Sequence, residues 1–283
     1  MTELVDVPPF ARVEELDGLP GRVVLADVRW YLDGRSGRAA YEGGHLPGAV
    51  FADLDRWLTG PPTAVGGRNP LPAPESFAEG MRGLGIGDDD IVVAYDDQGG
   101  VIAARLVWML RATGRRAAIL DGGLAAYLDA HPDSLTTEEP EPEEGEFSVR
   151  PWPAAALVEA DGLVGPDVLT VDARNRDRFV GAQDPVDPRP GHVPGAANVP
   201  CRENLDGLGR LLPVQAIRDN FAAGGVDADT ASKVVSYCGS GVTACHNLLT
   251  LEHTGLGRGR LYVGGWSAYS RDDARPVETG PAR

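Results

Sequence analysis

Residues 233–255 read KVVSYCGSGVTACHNLLTLEHTG, and they hold three kinds of local structure in a fixed order. The β-branched run KVVSY reads as a strand ending at Tyr237. A short loop follows through Cys238, Gly239, Ser240, Gly241, Val242 and Thr243. A helical pattern then starts near Ala244 and stops at Gly255, a residue suited to a helix C-cap. In an α/β sheet, ligand sites lie where strand ends lead into helices. Cys238 stands at that point.

The same landmarks occur twice along the chain. The first half carries VVLADVR, GGHLPGAV, IVVAYDDQGG and AAILDGGLAAY, and the second VLTVDAR, PGHVPGAAN, KVVSYCGSG and GRLYVGGWSAY. Offsets from Asp27 to Asp172, His45 to His192 and Tyr127 to Tyr269 all fall between 142 and 147 residues. A duplicated domain is expected: residues 1–130, an acidic, proline-rich linker over 131–153, and residues 154–283. In each half, short β-branched runs alternate with helical stretches such as ARLVWMLRATG, which ends at Gly114. Alternation of this kind implies a parallel sheet with helices on both faces. The linker HPDSLTTEEPEPEEGEFSVRPWP has no apolar period and reads as extended and solvated.

A chain of 283 residues suits two domains of ordinary size, each with its own core. The formal net charge of −16 argues against a general nucleic-acid or anionic-membrane surface. An anionic substrate must therefore be gripped locally. With one lysine, Lys233, against 25 arginines, that grip falls to arginine. No apolar run is long enough to span a bilayer, and the acidic N-terminus lacks the features of a secretory leader, so a cytoplasmic protein is expected. No metal cluster, nucleotide loop or cofactor motif appears, and the three cysteines fit no zinc spacing.

Glycines on either side of Ser240 let the backbone curl so that its N–H groups point inward, and the following helix adds partial positive charge at its N-terminus. The loop favours an anion centred on the Cys238 sulfur, first a thiolate and then a persulfide, Cys–S–S⁻. Cys245, two helical turns on, and Cys201 are expected to pack in the core. Aligning Tyr95 with Tyr237 puts Asp96 in the place of Cys238, and a carboxylate cannot carry a sulfane sulfur. The first copy is expected to be inert in this chemistry. A cysteine-loop phosphatase needs an arginine six residues after the cysteine, where this chain has Ala244, so phosphoryl chemistry is set aside.

The loop CGSGVTA, the paired DVR and DAR strand ends, the two GH(L/V)PGA motifs and GGWSAY together resemble the tandem-domain rhodanese family of sulfurtransferases. The resemblance runs from about residue 20 to 270. It implies two rhodanese-like α/β domains, the second catalytic, that move a sulfane sulfur through a cysteine persulfide to cyanide, a thiol or a thioredoxin-like acceptor. The loop form, with Gly239 and Ser240 after the cysteine, is similar to the 3-mercaptopyruvate type, whereas the thiosulfate type has basic residues there. In the mercaptopyruvate type arginines hold the donor's carboxylate and ketone. Arg178 of DARNRDRFVGAQ takes the main arginine position, and Arg189 of DPRPGHVPG the second.

The resemblance also implies a proton relay of loop serine, histidine and aspartate. Ser240 and Asp55 match, but Asn69 of GGRNPLP stands at the histidine position. An amide cannot exchange a proton near neutral pH, a departure that favours thiosulfate, which needs no proton to leave as sulfite. Mercaptopyruvate is the expected donor and thiosulfate the alternative. A persulfide-binding relay module without turnover is the alternative from another class. Arg174, His45 and His192 read as structural. Trp266 reads as either a pocket wall or a core residue.

Overall fold

The computed structural model describes residues 7–182, 184 and 186–281. The first six residues, part of the stretch read above for a leader, lie outside them. Each half of the duplication builds one parallel sheet. The first comprises β1 (Phe10–Ala11), β2 (Val23–Asp27), β3 (Val50–Phe51), β4 (Ile91–Tyr95) and β5 (Arg116–Leu120), in the order β1-β5-β4-β2-β3. Around it lie α1 (Gly37–Glu42), α2 (Pro74–Gly83), α3 (Ala104–Ala112) and α4 (Gly123–Ala130). The second comprises β6 (Leu169–Asp172), β7 (Ala197–Asn198), β8 (Val234–Tyr237) and β9 (Arg260–Leu261), in the order β7-β6-β8-β9. Its helices are α5 (Arg176–Val180), α6 (Val214–Ala223), α7 (Ala244–His253) and α8 (Gly265–Tyr269). The counterpart of β1 there is a single parallel bridge from Leu157 to Leu261.

Every strand pair is parallel, as the alternation of elements requires. All residues of β4 and β8 are buried, which is why both read as continuous apolar runs rather than alternating ones. The turns after α3 and α7 place Gly114 and Gly255 at φ +77° and +73°, the left-handed conformation expected past a helix end.

Duplication extends to the polar framework. Arg29 pairs with Asp27 through Nη2 at 2.6 Å and donates to the Gly44 carbonyl, while Arg174 pairs with Asp172 at 2.6 Å and donates to the Gly191 carbonyl. The histidine after each of those glycines stacks on an aromatic ring 3.7 Å away: His45 on Tyr41 and His192 on Phe179. Each also bonds through Nδ1 to that residue's carbonyl at 2.8 Å. These residues tie strand ends to loops in both halves, including the half without a cysteine.

The compact units depart from the linear halves. One contains the residues up to Gly60, Pro72–Trp152 and Asp206–Leu211; the other contains Pro61–Leu71, Pro153–Leu205 and the residues from Leu212 onward. Two short segments are thus exchanged in sequence. The acidic stretch is extended beyond its first residues and, up to Trp152, fastened along the first unit. Thr136 and His45 exchange backbone bonds at 2.9 Å, Phe147 is buried edge-on to Phe77 and beneath Arg115, and Trp152 Nε1 donates to the Pro72 carbonyl. Two aromatic side chains hold a segment whose average composition is that of a solvated linker. Among the described residues no helix is long and apolar enough to cross a membrane.

The loop after β4 closes around its own acid. Asp96 is fully buried, and its carboxylate accepts N–H bonds from Gln98 (2.7 Å), Gly100 (2.8 Å), Ile102 (2.8 Å) and Ala103 (2.9 Å). Each buried amide left without an acceptor costs about 1–3 kcal/mol. Asp96→Ala is therefore expected to destabilise the first unit by about 3 kcal/mol or more. Asp96→Asn, which keeps one acceptor oxygen, is expected to cost less; urea unfolding of the full chain measures both.

Candidate active site

The β8–α7 loop is the second copy of that cradle with a thiol in place of the carboxylate. Cys238 is buried, 2% exposed, directly after the last residue of β8. Its carbonyl accepts from the Trp266 N–H at 2.7 Å, and the Gly239 carbonyl accepts from the Ser267 N–H at 2.8 Å. A trans peptide points its N–H opposite to its carbonyl, so both anchors turn the amides of Gly239 and Ser240 away from α8. The approach needs Gly265, at φ +57°, because a Cβ there would sit 2.8 Å from the Cys238 carbonyl oxygen. Gly123, at φ +53°, meets the Asp96 carbonyl in the same way, and Leu124 N–H donates to it.

Gly241 turns the loop at φ +75°, with the Val263 carbonyl 2.4 Å from where a Cβ would stand. Val242 is buried, while Ser240 and Thr243 are half-buried. The amides of Gly239, Ser240, Val242 and Thr243 have no acceptor among the described residues. In the first unit the corresponding loop spends four amides on Asp96. Here no group among the described residues takes them up.

Arg178, on α5, reaches this loop. Its Nε and Nη2 are held by Asp184 (3.3 and 3.0 Å), and Nη2 also by Asp187 (2.7 Å). Its Nη1 lies 3.4 Å from the position of a Cβ on Gly239. A second guanidinium arrives at the same spot. Arg68 pairs with Asp187 through Nη1, and its Nη2 lies 3.1 Å from that Gly239 position. Sequence reasoning passed over Arg68, whose only signal was its place next to Asn69 in the 61–71 segment.

Arg189, read from sequence as the second arginine of the clamp, is spent on backbone. Its guanidinium donates to the carbonyls of Ser270 (2.7 Å), Arg275 (3.0 Å), Tyr269 (3.3 Å) and Asp272 (2.7 Å), fastening the turn after α8. Asn69 is buried in the second unit, in the same segment as Arg68. Asp55 lies in the first unit, in the helical turn Leu54–Leu58, where its Oδ2 accepts from Trp30 Nε1 at 3.0 Å.

Trp266 is a core residue: it is fully buried, stacks near Tyr269, lies 4.8 Å from the Arg174 guanidinium and donates Nε1–H to the Arg189 carbonyl. Cys245 is buried with its thiol donating to the Gly241 carbonyl at 3.3 Å. Cys201 is buried beside the loop, and burial pushes its thiol up to about 11. Both pack around the loop.

Comparison with known proteins agrees with this geometry. The profile of the Rhodanese-like domain matches residues 13–130 and 156–272. A probable 3-mercaptopyruvate sulfurtransferase of Pseudomonas aeruginosa is 40% identical over 278 residues, 95% of each chain. A putative thiosulfate sulfurtransferase, SseB, of Mycobacterium tuberculosis is 39% identical over 265 residues, 92% of each chain. The solved 3-mercaptopyruvate sulfurtransferase of Leishmania major superposes with a TM-score of 0.81 at 30% identity, covering 97% of this chain and 78% of its own. With both matches spaced as the repeat is, and one copy of the strand-end loop bearing a cysteine, the chain belongs to the rhodanese family as a tandem pair of rhodanese-like domains.

Proposed function

We propose that this protein is a sulfurtransferase that takes a sulfane sulfur from 3-mercaptopyruvate onto Cys238 and passes it to a thiophilic acceptor such as cyanide, a thiol or a thioredoxin-like protein. The observation that carries the reading is the set of open amides around Cys238, in a loop whose duplicate holds a buried carboxylate with four such amides. Two relatives named for different donors frame the choice of substrate. The absence of any basic residue directly after Cys238 favours mercaptopyruvate.

The chemistry balances without a cofactor. The Cys238 thiolate attacks the mercaptopyruvate sulfur, the carbon–sulfur bond breaks, and its electron pair leaves as the enolate of pyruvate. Protonation of that enolate yields pyruvate and leaves Cys238–S–S⁻. The negative charge lies one atom further from the Cys238 backbone than in the thiolate, and preorganised amides stabilise it without reorganising. Cyanide then attacks the outer sulfur, the S–S bond breaks, and thiocyanate departs with the thiolate regenerated. Arg178 holds the donor's carboxylate, since a guanidinium offers paired donors to it. In this reading Ser240, the loop serine of the relay that the family resemblance implies, delivers the proton.

A second reading, thiosulfate as donor, draws on Asn69. An asparagine orients a hydroxyl but carries no proton, and sulfite leaves thiosulfate without needing one. Steady-state kcat/KM with cyanide as acceptor, comparing the two donors, tests the first reading against the second. Mercaptopyruvate is expected to be preferred, and Cys238→Ser to abolish turnover with both. A preference for thiosulfate would transfer the assignment to that donor, and turnover that ignores Cys238 would end the enzyme reading in favour of a sulfur-binding module. Asn69→His is expected to raise kcat with mercaptopyruvate by about tenfold or more, in the range of general acid–base effects, and to leave thiosulfate turnover within about twofold. Stopped-flow traces of pyruvate release measure the first effect directly.

A further inference from the structure

Residues 61–71 belong to the second unit, although the chain on either side of them, up to Gly60 and from Pro72, belongs to the first. No covalent neighbour within the unit holds the segment, so non-covalent bonds must. Residues 63 and 67 exchange backbone bonds at 3.1 and 3.0 Å, closing a tight hairpin, and Gly66 N–H donates to Thr63 Oγ1 at 2.8 Å. The hairpin then meets a side chain of α8. Ser267, 1% exposed, accepts the Arg68 N–H at Oγ (3.1 Å) and donates that hydroxyl to the Gly264 carbonyl at 3.0 Å. Its own N–H holds the Gly239 carbonyl of the cysteine loop at 2.8 Å. Gly67, at φ +72°, permits the approach, because a Cβ there would collide with Ser267 Oγ and the Gly264 carbonyl oxygen. One residue thus fastens two pieces of chain far apart in sequence, the loop by its backbone and the segment by its hydroxyl.

The first unit holds its own exchanged segment, residues 206–211, with a charge: the Leu211 N–H donates to Asp121 Oδ1 at 2.8 Å. The 142-residue offset that relates Tyr127 to Tyr269 puts Ala125 at the place of Ser267 and Val263 at the place of Asp121. At these two places the hydroxyl stands in the unit with the cysteine and the carboxylate in the unit without one. Val263 lies against the cysteine loop, its carbonyl close upon Gly241. A carboxylate at that residue would bring negative charge to a loop that has to hold an anion, whereas a hydroxyl anchors the segment without one.

We propose that Ser267 is a positioning residue for sulfur transfer: its hydroxyl keeps the 61–71 segment in register with the Cys238 loop, so that the donor meets one fixed pocket rather than a loop and a separately moving hairpin. The inference rests on the reading of this loop as the donor site and names the group that keeps the site assembled. The hydroxyl acts through the backbone it holds, since both of its bonds go to main-chain groups.

Ser267→Ala separates the two attachments, because it removes the hydroxyl and keeps the N–H on the Gly239 carbonyl. It is expected to lower kcat/KM for the donor about tenfold or more, as small misplacements in a preorganised site do. Alkylation of Cys238 by iodoacetamide, which reports the loop alone, is expected to stay within about twofold of wild type. Ser267→Thr, which restores the hydroxyl, is expected to recover most of the lost kcat/KM. Independently of turnover, the bonded amides of residues 63–68 are expected to exchange hydrogen about tenfold faster in Ser267→Ala, with β8 unchanged. Wild-type kcat/KM in Ser267→Ala would overturn the proposal. Alkylation slowed as much as turnover would overturn it too, by reducing Ser267 to a general support of the loop. Should Ser267→Ala fail to fold, Gly67→Ala, which displaces the hairpin from the same hydroxyl, decides by the same criteria. If the wild type turns over neither donor, the sulfurtransferase reading fails, and hydrogen exchange alone judges Ser267, unchanged protection of residues 63–68 overturning it.

Discussion

The cysteine loop of the second unit depends on two carbonyls being held in place. The oxygen of Cys238 is anchored by the first turn of α8, and the oxygen of Gly239 by the next residue of that turn. With the carbonyls committed outward, planarity of the peptide bond leaves the amides no other direction than away from α8. An anion-stabilising loop follows from two hydrogen bonds and one glycine, Gly265, that lets the helix approach so closely. Burial of the loop then raises the worth of each donor, because few water molecules compete for the charge they face.

Duplication makes the design visible twice with different occupants. The first unit puts Asp96 in its cradle and satisfies four amides with a fixed carboxylate. Such a loop is a structural element, closed to any incoming anion. The second unit puts a thiol there, and the amides of Gly239, Ser240, Val242 and Thr243 have no acceptor among the described residues. Carboxylate in one loop and sulfur in the other mark the first residue after each strand, with eight residues before α3 and six before α7. The Asp–Arg strand-end pairs and the stacked histidines recur in both units because both need the same scaffold, whatever the loop holds.

Charge is managed in the same economical way. A chain with net charge −16 repels anions over most of its surface, so donor recognition has to be local. Around Gly239 two arginines meet two buried aspartates, which neutralise the pair on average and aim the uncommitted nitrogens at one point. Arginine suits this role because its five donors lie in a rigid plane: some can be tied down while others stay directed at a ligand.

Much of this protein was legible in the chain itself. The order strand, glycine loop, helix in 233–255, its repetition some 142–147 residues earlier, and Asp96 opposite Cys238 are local patterns, determined by backbone propensity and spacing. They specified two parallel α/β sheets and the position of the sulfur. Only the tertiary structure decided which arginines stand beside Gly239. Arg189 sits in a promising motif but meets four carbonyls, whereas Arg68 sits in an unremarkable GGRN and reaches Gly239. It likewise decided that residues 61–71 join the second unit and that the acidic stretch over 131–153 lies fastened to the first. A long side chain takes its partners from whatever the folded backbone brings within its reach, and that proximity is set by contacts between residues far apart in sequence, where no local period records it.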